Sequence, residues 1–242
     1  MREFNYELKQ LCERNRDGSY ATRADRERIL ELIANQLQEM GFKNMHATSL
    51  KGKHVQALVA RWHKEEIAPG TFKNRMAHLR WWAEKNGTPK IISPSNDAYG
   101  IADRVYVTNV SKAIDLDLDR HARIDDLYTK MSLLLQRHFG LRRKGSIKIR
   151  VAWADRGDKL VIWPSWGKGR RGREIPIRTA EQHAVLDLVK KFAGNGSLIP
   201  KGMTYVQQLR RFEAQCAKVG IHKVHGLRHL YAQERYRELT GW

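Results

Sequence analysis

Between Lys159 and Arg178 the chain alternates where most of it winds. Lys159-Leu160-Val161-Ile162-Trp163 is a short apolar, β-branched and aromatic run, and Glu174-Ile175-Pro176-Ile177 alternates polar with apolar. Between them come Pro164, Gly167, Lys168, Gly169, Arg170, Arg171, Gly172 and Arg173. The pattern predicts two strands joined by a flexible cationic connection, with Pro176 leaving the second strand exposed on its N–H side. Cations crowded into a glycine-rich turn repel one another unless something anionic lies against them. A phosphate backbone suits both the forked donors of Arg and the mobile charge of Lys. A solvated basic loop between surface strands is the alternative.

Around this hairpin the apolar spacing is helical. Tyr6 to Cys12 is a short helical segment, closed by the polar run Asn15-Arg16-Asp17-Gly18-Ser19. Thr22, with Asp25 three positions on, reads as the cap of a helix carrying Ile29, Leu30, Ile33, Leu37 and Met40 on one face and stopping at Gly41. A second helix starts near Ser49 with Val55, Leu58, Val59 and Trp62 together. A third runs from about Thr71 to Asn86, with Phe72, Met76, Leu79, Trp82 and Ala83 inward and Lys73, Arg75, Arg80 and Lys85 outward. From Ile91 to Asp119 periodicity is lost, and the domain boundary is placed near Val110.

Beyond it, Asp125 or Asp126 caps a helix with Tyr128, Met131, Leu134, Leu135 and His138, ending at Phe139-Gly140. A helical turn near Lys144 delivers Ile147 and Ile149, and Val151-Ala152-Trp153 reads as a first strand. Thr179 and Glu181 open a helix with Val185, Leu188, Val189 and Phe192 on one face. Tyr205 to Val219 is built around Leu209, Phe212 and Cys216, and a last helix from His225 carries Leu227, Leu230, Tyr231 and Leu239.

Lys and Arg total 45 against 26 Asp and Glu, a formal net charge of +19 over 242 residues. Such an excess favours a polyanion as partner, and without a long apolar or membrane-surface segment nucleic acid is expected rather than lipid. The two cysteines, Cys12 and Cys216, fit no metal-binding spacing. The N-terminus has no signal-peptide core. The expectation is a cytoplasmic protein whose two cysteines stay reduced.

Cations recur at segment ends: Arg142 and Arg143 after Phe139-Gly140-Leu141, Lys168 in the hairpin turn, and His225 with Arg228 at a helix start. A phosphoryl group under attack develops charge on its non-bridging oxygens, which paired guanidiniums stabilise, and Lys or His can relay protons. His225 and Arg228, three apart, share a helix face. No acidic cluster accompanies them of the kind two metal ions need, which argues against a metal nuclease. Arg143 reads equally as a surface cation, His138 as a satisfied semi-buried histidine, and Trp163 and Trp166 as residues that fix the hairpin. Of Trp81 and Trp82, one is expected in the core and one at the surface.

This arrangement resembles the tyrosine recombinases, the integrases of phages and integrative elements. The resemblance maps the Gly-Leu-Arg-like turn onto Arg142, the hairpin lysine onto Lys168, and the His-x-x-Arg helix start onto His225-Gly226-Leu227-Arg228, with His229 as the companion that follows. It implies that Arg142 and Arg228 hold the scissile phosphate, that Lys168 protonates the leaving 5′ oxygen, and that His225 assists proton transfer. It also implies a mainly α fold with a small antiparallel sheet: a helical, SAM-like core-binding domain over residues 1–109 and an incomplete α+β catalytic domain over 110–242. Double-stranded DNA is the implied partner, contacted by Arg143, Arg170, Arg171, Arg173 and His229 and, from the helical domain, by Lys73, Arg75 and Arg80. Self-association on DNA follows, as a tetramer in the intact protein, and the resemblance implies a bacterial, DNA-associated protein in the cytoplasm that needs no cofactor and no metal.

Two departures accompany the match. The family usually has an acidic residue three positions beyond the first arginine, where this chain has Gly145. Its nucleophilic tyrosine lies a few tens of residues beyond the His-x-x-Arg pair, whereas this sequence stops at Trp242. Tyr231 and Tyr236 sit unlike that nucleophile, so the expectation is a catalytically incomplete polypeptide. The alternatives are a noncatalytic DNA-binding remnant or competitor of an intact integrase, and a basic structural protein that contacts RNA.

Overall fold

Apolar residues three and four apart wind the first part of the chain into four helices around one core. The computed structural model describes residues 2–167 and 171–241, and the chain divides into two units, Met1–Val107 and Thr108–Trp242. In the first unit, α1 (Glu3–Arg14) buries Phe4, Leu8 and Cys12, and α2 (Tyr20–Glu39) buries Ile29, Leu30, Ile33, Ala34 and Leu37. Val55, Leu58 and Trp62 of α3 (Gly52–Lys64) meet Phe72, Met76, Leu79, Trp82 and Ala83 of α4 (Pro69–Lys85) in the same core.

Both buried indoles find acceptors: Trp62 Nε1 donates to Gln36 Oε1 at 2.9 Å and Trp82 Nε1 to the Ala47 carbonyl at 2.6 Å. Trp81 is half-buried, donating to Asp17 and lying under the Arg26 guanidinium. Three expectations change here. The first helix is longer than Tyr6 to Cys12. Ser19, not Thr22, caps α2, because its hydroxyl accepts from the Thr22 amide. Arg75 points inward, its side chain 13 % exposed, lying over the Trp62 ring and near Glu65.

In the second unit α5 (Leu118–Ala122) leads to α6 (Leu127–Phe139), around which the rest is arranged; α6 is capped by Asp126, whose carboxylate accepts from the Thr129 amide and hydroxyl. It packs against α7 (Arg143–Lys148), α9 (Ala180–Ala193), α10 (Tyr205–Lys218) and α11 (His225–Thr240). One side of α6 places Met131, Leu135 and Phe139 against the hairpin and α9; the other places Leu133 against Ile147, Phe212, Cys216 and Leu227. The hairpin pairs β1 (Lys159–Ile162) with β2 (Arg173–Pro176) antiparallel, Lys159 opposite Pro176 and Ile162 opposite Arg173. Leu160, Ile162, Ile175 and Ile177 face the core.

Val151-Ala152-Trp153 is not a strand: Val151–Ala154 is one helical turn, α8. A three-residue apolar run is too short to distinguish the two periods, and a turn buries both Val151 and Ala154 three apart. Trp153 meets the hairpin instead, edge-on to Trp163 and Trp166 at 4.9 and 5.8 Å. In α9 the inward face is Gln182, Val185, Leu186 and Val189, and Leu188 is exposed. The thiols of Cys12 and Cys216 are free and buried, each pushed up to about 11 by burial. Among the described residues no helix is long and apolar enough to cross a membrane.

Gln36→Leu removes the acceptor of a fully buried indole N–H and is expected to cost about 1–3 kcal/mol, read as a lower urea midpoint. Acid is expected to destabilise both units. Burial holds His54 and His78 in the first, and His121 and His138 in the second, below the ordinary value of 6.5. The unfolded chain therefore takes up protons near pH 6.5 that the folded chain refuses. The stability of the neutral forms is present above that pH and lost as pH falls through the folded values. Urea midpoints at pH 7, 6 and 5 should decline in that order; a flat series would show that these burials carry no stability.

Candidate active site

The left-handed cap of α6 sets the geometry. Gly140 takes φ +56°, a conformation that L side chains rarely adopt, and turns the chain so that Leu141 enters the core and Arg142 emerges at the start of α7. The Gly140 carbonyl then accepts from two arginines on different elements: Arg173 Nη2 of β2, at 3.4 Å, and Arg228 Nη1 of α11. Tyr231, one turn beyond Arg228, lays its ring on Gly140 so closely that a Cβ there would overlap Tyr231 Cδ1.

The start of α11 is also sterically fixed. Lys223 adopts φ +52°, a left-handed conformation unusual for a side-chain-bearing residue. Gly226 follows where a Cβ would lie 2.7 Å from Ile114 Cβ, and its carbonyl accepts from the Ile114 amide. The segment before α5 thus clamps the His-x-x-Arg turn and aims His225, Arg228 and His229. The rings of His225 and His229 meet edge to face at 5.0 Å.

Among the described residues the cluster gathers cations without a carboxylate to balance them. Burial, then Arg173 and Arg142, lowers Arg228 to about 10. Arg173 is also lowered, by burial and then by Arg142. His225 is held below the ordinary histidine value by burial and by His229, Arg228 and Arg142, so it is neutral at pH 7 and free to accept a proton. Among the described residues no carboxylate pairs with Arg142, Arg173 or Arg228. The neighbouring carboxylates are already engaged: Glu174 with Lys159, Glu238 with Arg178 and Arg235, and Glu234 with Arg137.

Of the residues singled out from sequence, Arg142, Arg173, His225, Arg228 and His229 come together. Lys168 and Arg170 lie outside the described residues, and Arg171 is exposed beside them. Arg143 pairs with Glu213 at 2.8 Å on α10. In the first unit Lys73 pairs with Asp103, and Arg80 donates to the Ser93 and Ser95 carbonyls and to Asn96, so it braces a loop instead of standing free in solvent. Tyr231 is half-buried, and burial raises its hydroxyl above the ordinary tyrosine value. Tyr236 is 61 % exposed.

At Gly145 a Cβ would meet only the Trp166 carbonyl, at an ordinary 3.5 Å. A buried hydroxyl pair, Ser132 with Ser146 at 2.7 Å, ties α7 to α6. What sequence reasoning missed is the Gly140 carbonyl and the ring that covers it. The signal available was a helix-ending glycine directly before Leu141-Arg142.

Gly140→Ala forces a left-handed alanine into the Tyr231 ring and is expected to lose about 2–4 kcal/mol of stability by urea unfolding, strain plus overpacking. A loss below about 0.5 kcal/mol, the usual surface effect, would refute the close approach.

Two family models match the chain: phage integrase, N-terminal, over residues 1–92, and integrase, over residues 104–234. Among the curated proteins none matches. The solved structures that share the fold include the following three. A lambda integrase tetramer bound to a Holliday junction aligns with TM-score 0.61 and 15% identity, over 97% of this chain and 70% of that one. A lambda integrase dimer bound to a COC′ core site aligns with TM-score 0.58 and 15% identity, over 98% and 89%. The Tn1549 transposon integrase in complex with circular intermediate DNA aligns with TM-score 0.57 and 14% identity, over 97% and 88%. The two family models together span both units, the integrase model alone covers more than half of the chain, and the solved structures share its fold: the chain belongs to the integrase family.

Proposed function

We propose that this polypeptide binds duplex DNA at a specific site and holds a backbone phosphate for strand exchange. The observation that carries the reading is the convergence of Arg142, Arg228 and His225, with no carboxylate among the described residues to neutralise the guanidiniums. Arg142 and Arg228 place their donors on the non-bridging oxygens, where charge grows in the transition state. His225, unprotonated at pH 7, accepts the proton of the attacking hydroxyl and returns it later. Lys168, by analogy with the family, protonates the leaving 5′ oxygen. The helical unit closes on the duplex as a clamp, and copies pair on DNA as the lambda integrase tetramer does.

A second reading, occupation of the site without cutting, is favoured by Tyr231. Its ring is wedged on Gly140 and its hydroxyl is raised by burial, opposite to what an activated nucleophile needs. The two readings share their first test. Selection from randomised duplex DNA should return one sequence, and affinity for it should fall steeply with salt. Arg142→Ala and Arg228→Ala should each reduce the slope of log K against log salt by about one. No enriched sequence, or equal binding to duplex RNA, would overturn both. On the selected site carrying a nick, a covalent protein–DNA adduct supports strand exchange and its absence supports occupation alone.

A further inference from the structure

Arg173 was singled out as one cation of a basic turn, but the fold takes it elsewhere. It begins β2, opposite Ile162, with its guanidinium half-buried and turned back to the Gly140 carbonyl. Arg228 donates to the same oxygen. Two cations bound to one acceptor stand within two hydrogen-bond lengths of each other, an arrangement that repulsion opposes unless something holds it. The acceptor is fixed by the left-handed Gly140 and covered by the Tyr231 ring. A groove of about 350 Å³ opens beside them, lined by Gly140, Arg173, Arg228 and Tyr231. Its one carboxylate, Glu174, is paired with Lys159 at 3.0 Å.

We infer that Arg173 is a third guanidinium of the phosphate site, and that Gly140 and Tyr231 are positioning residues that seat it beside Arg228 through a shared carbonyl. This rests on the phosphate-holding role proposed above for Arg142 and Arg228. An arginine bonded to the Gly140 carbonyl through one Nη keeps its remaining N–H groups for an anion. Two such groups anchored on one oxygen present a fork to a single phosphodiester, with Arg142 approaching from the start of α7. Charge balance favours this: a phosphate between the three removes the mutual repulsion that each suffers in the free protein. The Tyr231 ring acts through its shape, so its hydroxyl is dispensable to the positioning.

The test uses the full chain labelled with ¹⁵N-arginine and titrated with inorganic phosphate. The Nε–H signals of Arg142, Arg173 and Arg228 should move together along one binding curve. Arg173→Gln should weaken phosphate binding about tenfold, the worth of a charge-assisted hydrogen bond, and return the titration of Arg228 toward the ordinary arginine range. Arg210→Gln, exposed on α10, should change neither. Tyr231→Phe should bind phosphate as the wild type does, while Tyr231→Leu should weaken it and uncouple the Arg173 signal from that of Arg228. If Arg142 and Arg228 respond and Arg173 does not, with Arg173→Gln binding normally, Arg173 is not part of the site and the inference falls alone. If no arginine responds in the wild type, the phosphate-holding role falls with it.

Discussion

Like charges do not gather without a reason, and the second unit is arranged around making three of them gather. Two guanidiniums about 5 Å apart repel by roughly 3 kcal/mol at an effective dielectric near 20, before solvent screening. Arg142, Arg173 and Arg228 arrive from three different elements; burial lowers Arg228 and Arg173 first, and the neighbouring guanidiniums lower them further. What opposes the repulsion is packing: α6 buried on both sides, the hairpin laid over one of its faces, and α11 pinned at Gly226 by Ile114. The hydrophobic core therefore serves the site directly, as the frame that holds together groups which would separate in solution.

Much of this was legible in the sequence, for physical reasons that can be named. The helices of the first unit follow from apolar residues at i, i+3 and i+4, and those same residues line its core. The hairpin was readable because alternation breaks the helical period and glycines mark the turn between. Arg142, His225 and Arg228 were readable because each sits beside a helix boundary, where side chains and backbone groups face outward.

The remainder depended on contacts that local pattern does not encode. Whether Val151 to Trp153 ran as a strand or turned as a helix was settled by the core, which takes Val151 and Ala154 three apart, while Trp153 meets Trp163 and Trp166, ten and more residues away. Arg75 reads as a surface cation from helical phase, yet Trp62 and Glu65 draw it in. Arg173 looked like one of several turn cations; only the register of β1 with β2 carries it to Gly140. A backbone carbonyl has no signature in sequence at all, so the acceptor that organises the cluster was invisible until the chain was folded.

The two thiols give the molecule an internal clock. Each unit owns one cysteine, Cys12 in the first core and Cys216 in the second, and both are buried and almost wholly protonated at neutral pH. A thiol reagent can reach either one only when its own unit opens, so the two modification rates separate the breathing of the helical unit from that of the unit that carries the arginines. Each half carries its own reporter, without a tag and without a change in the charge of the surface.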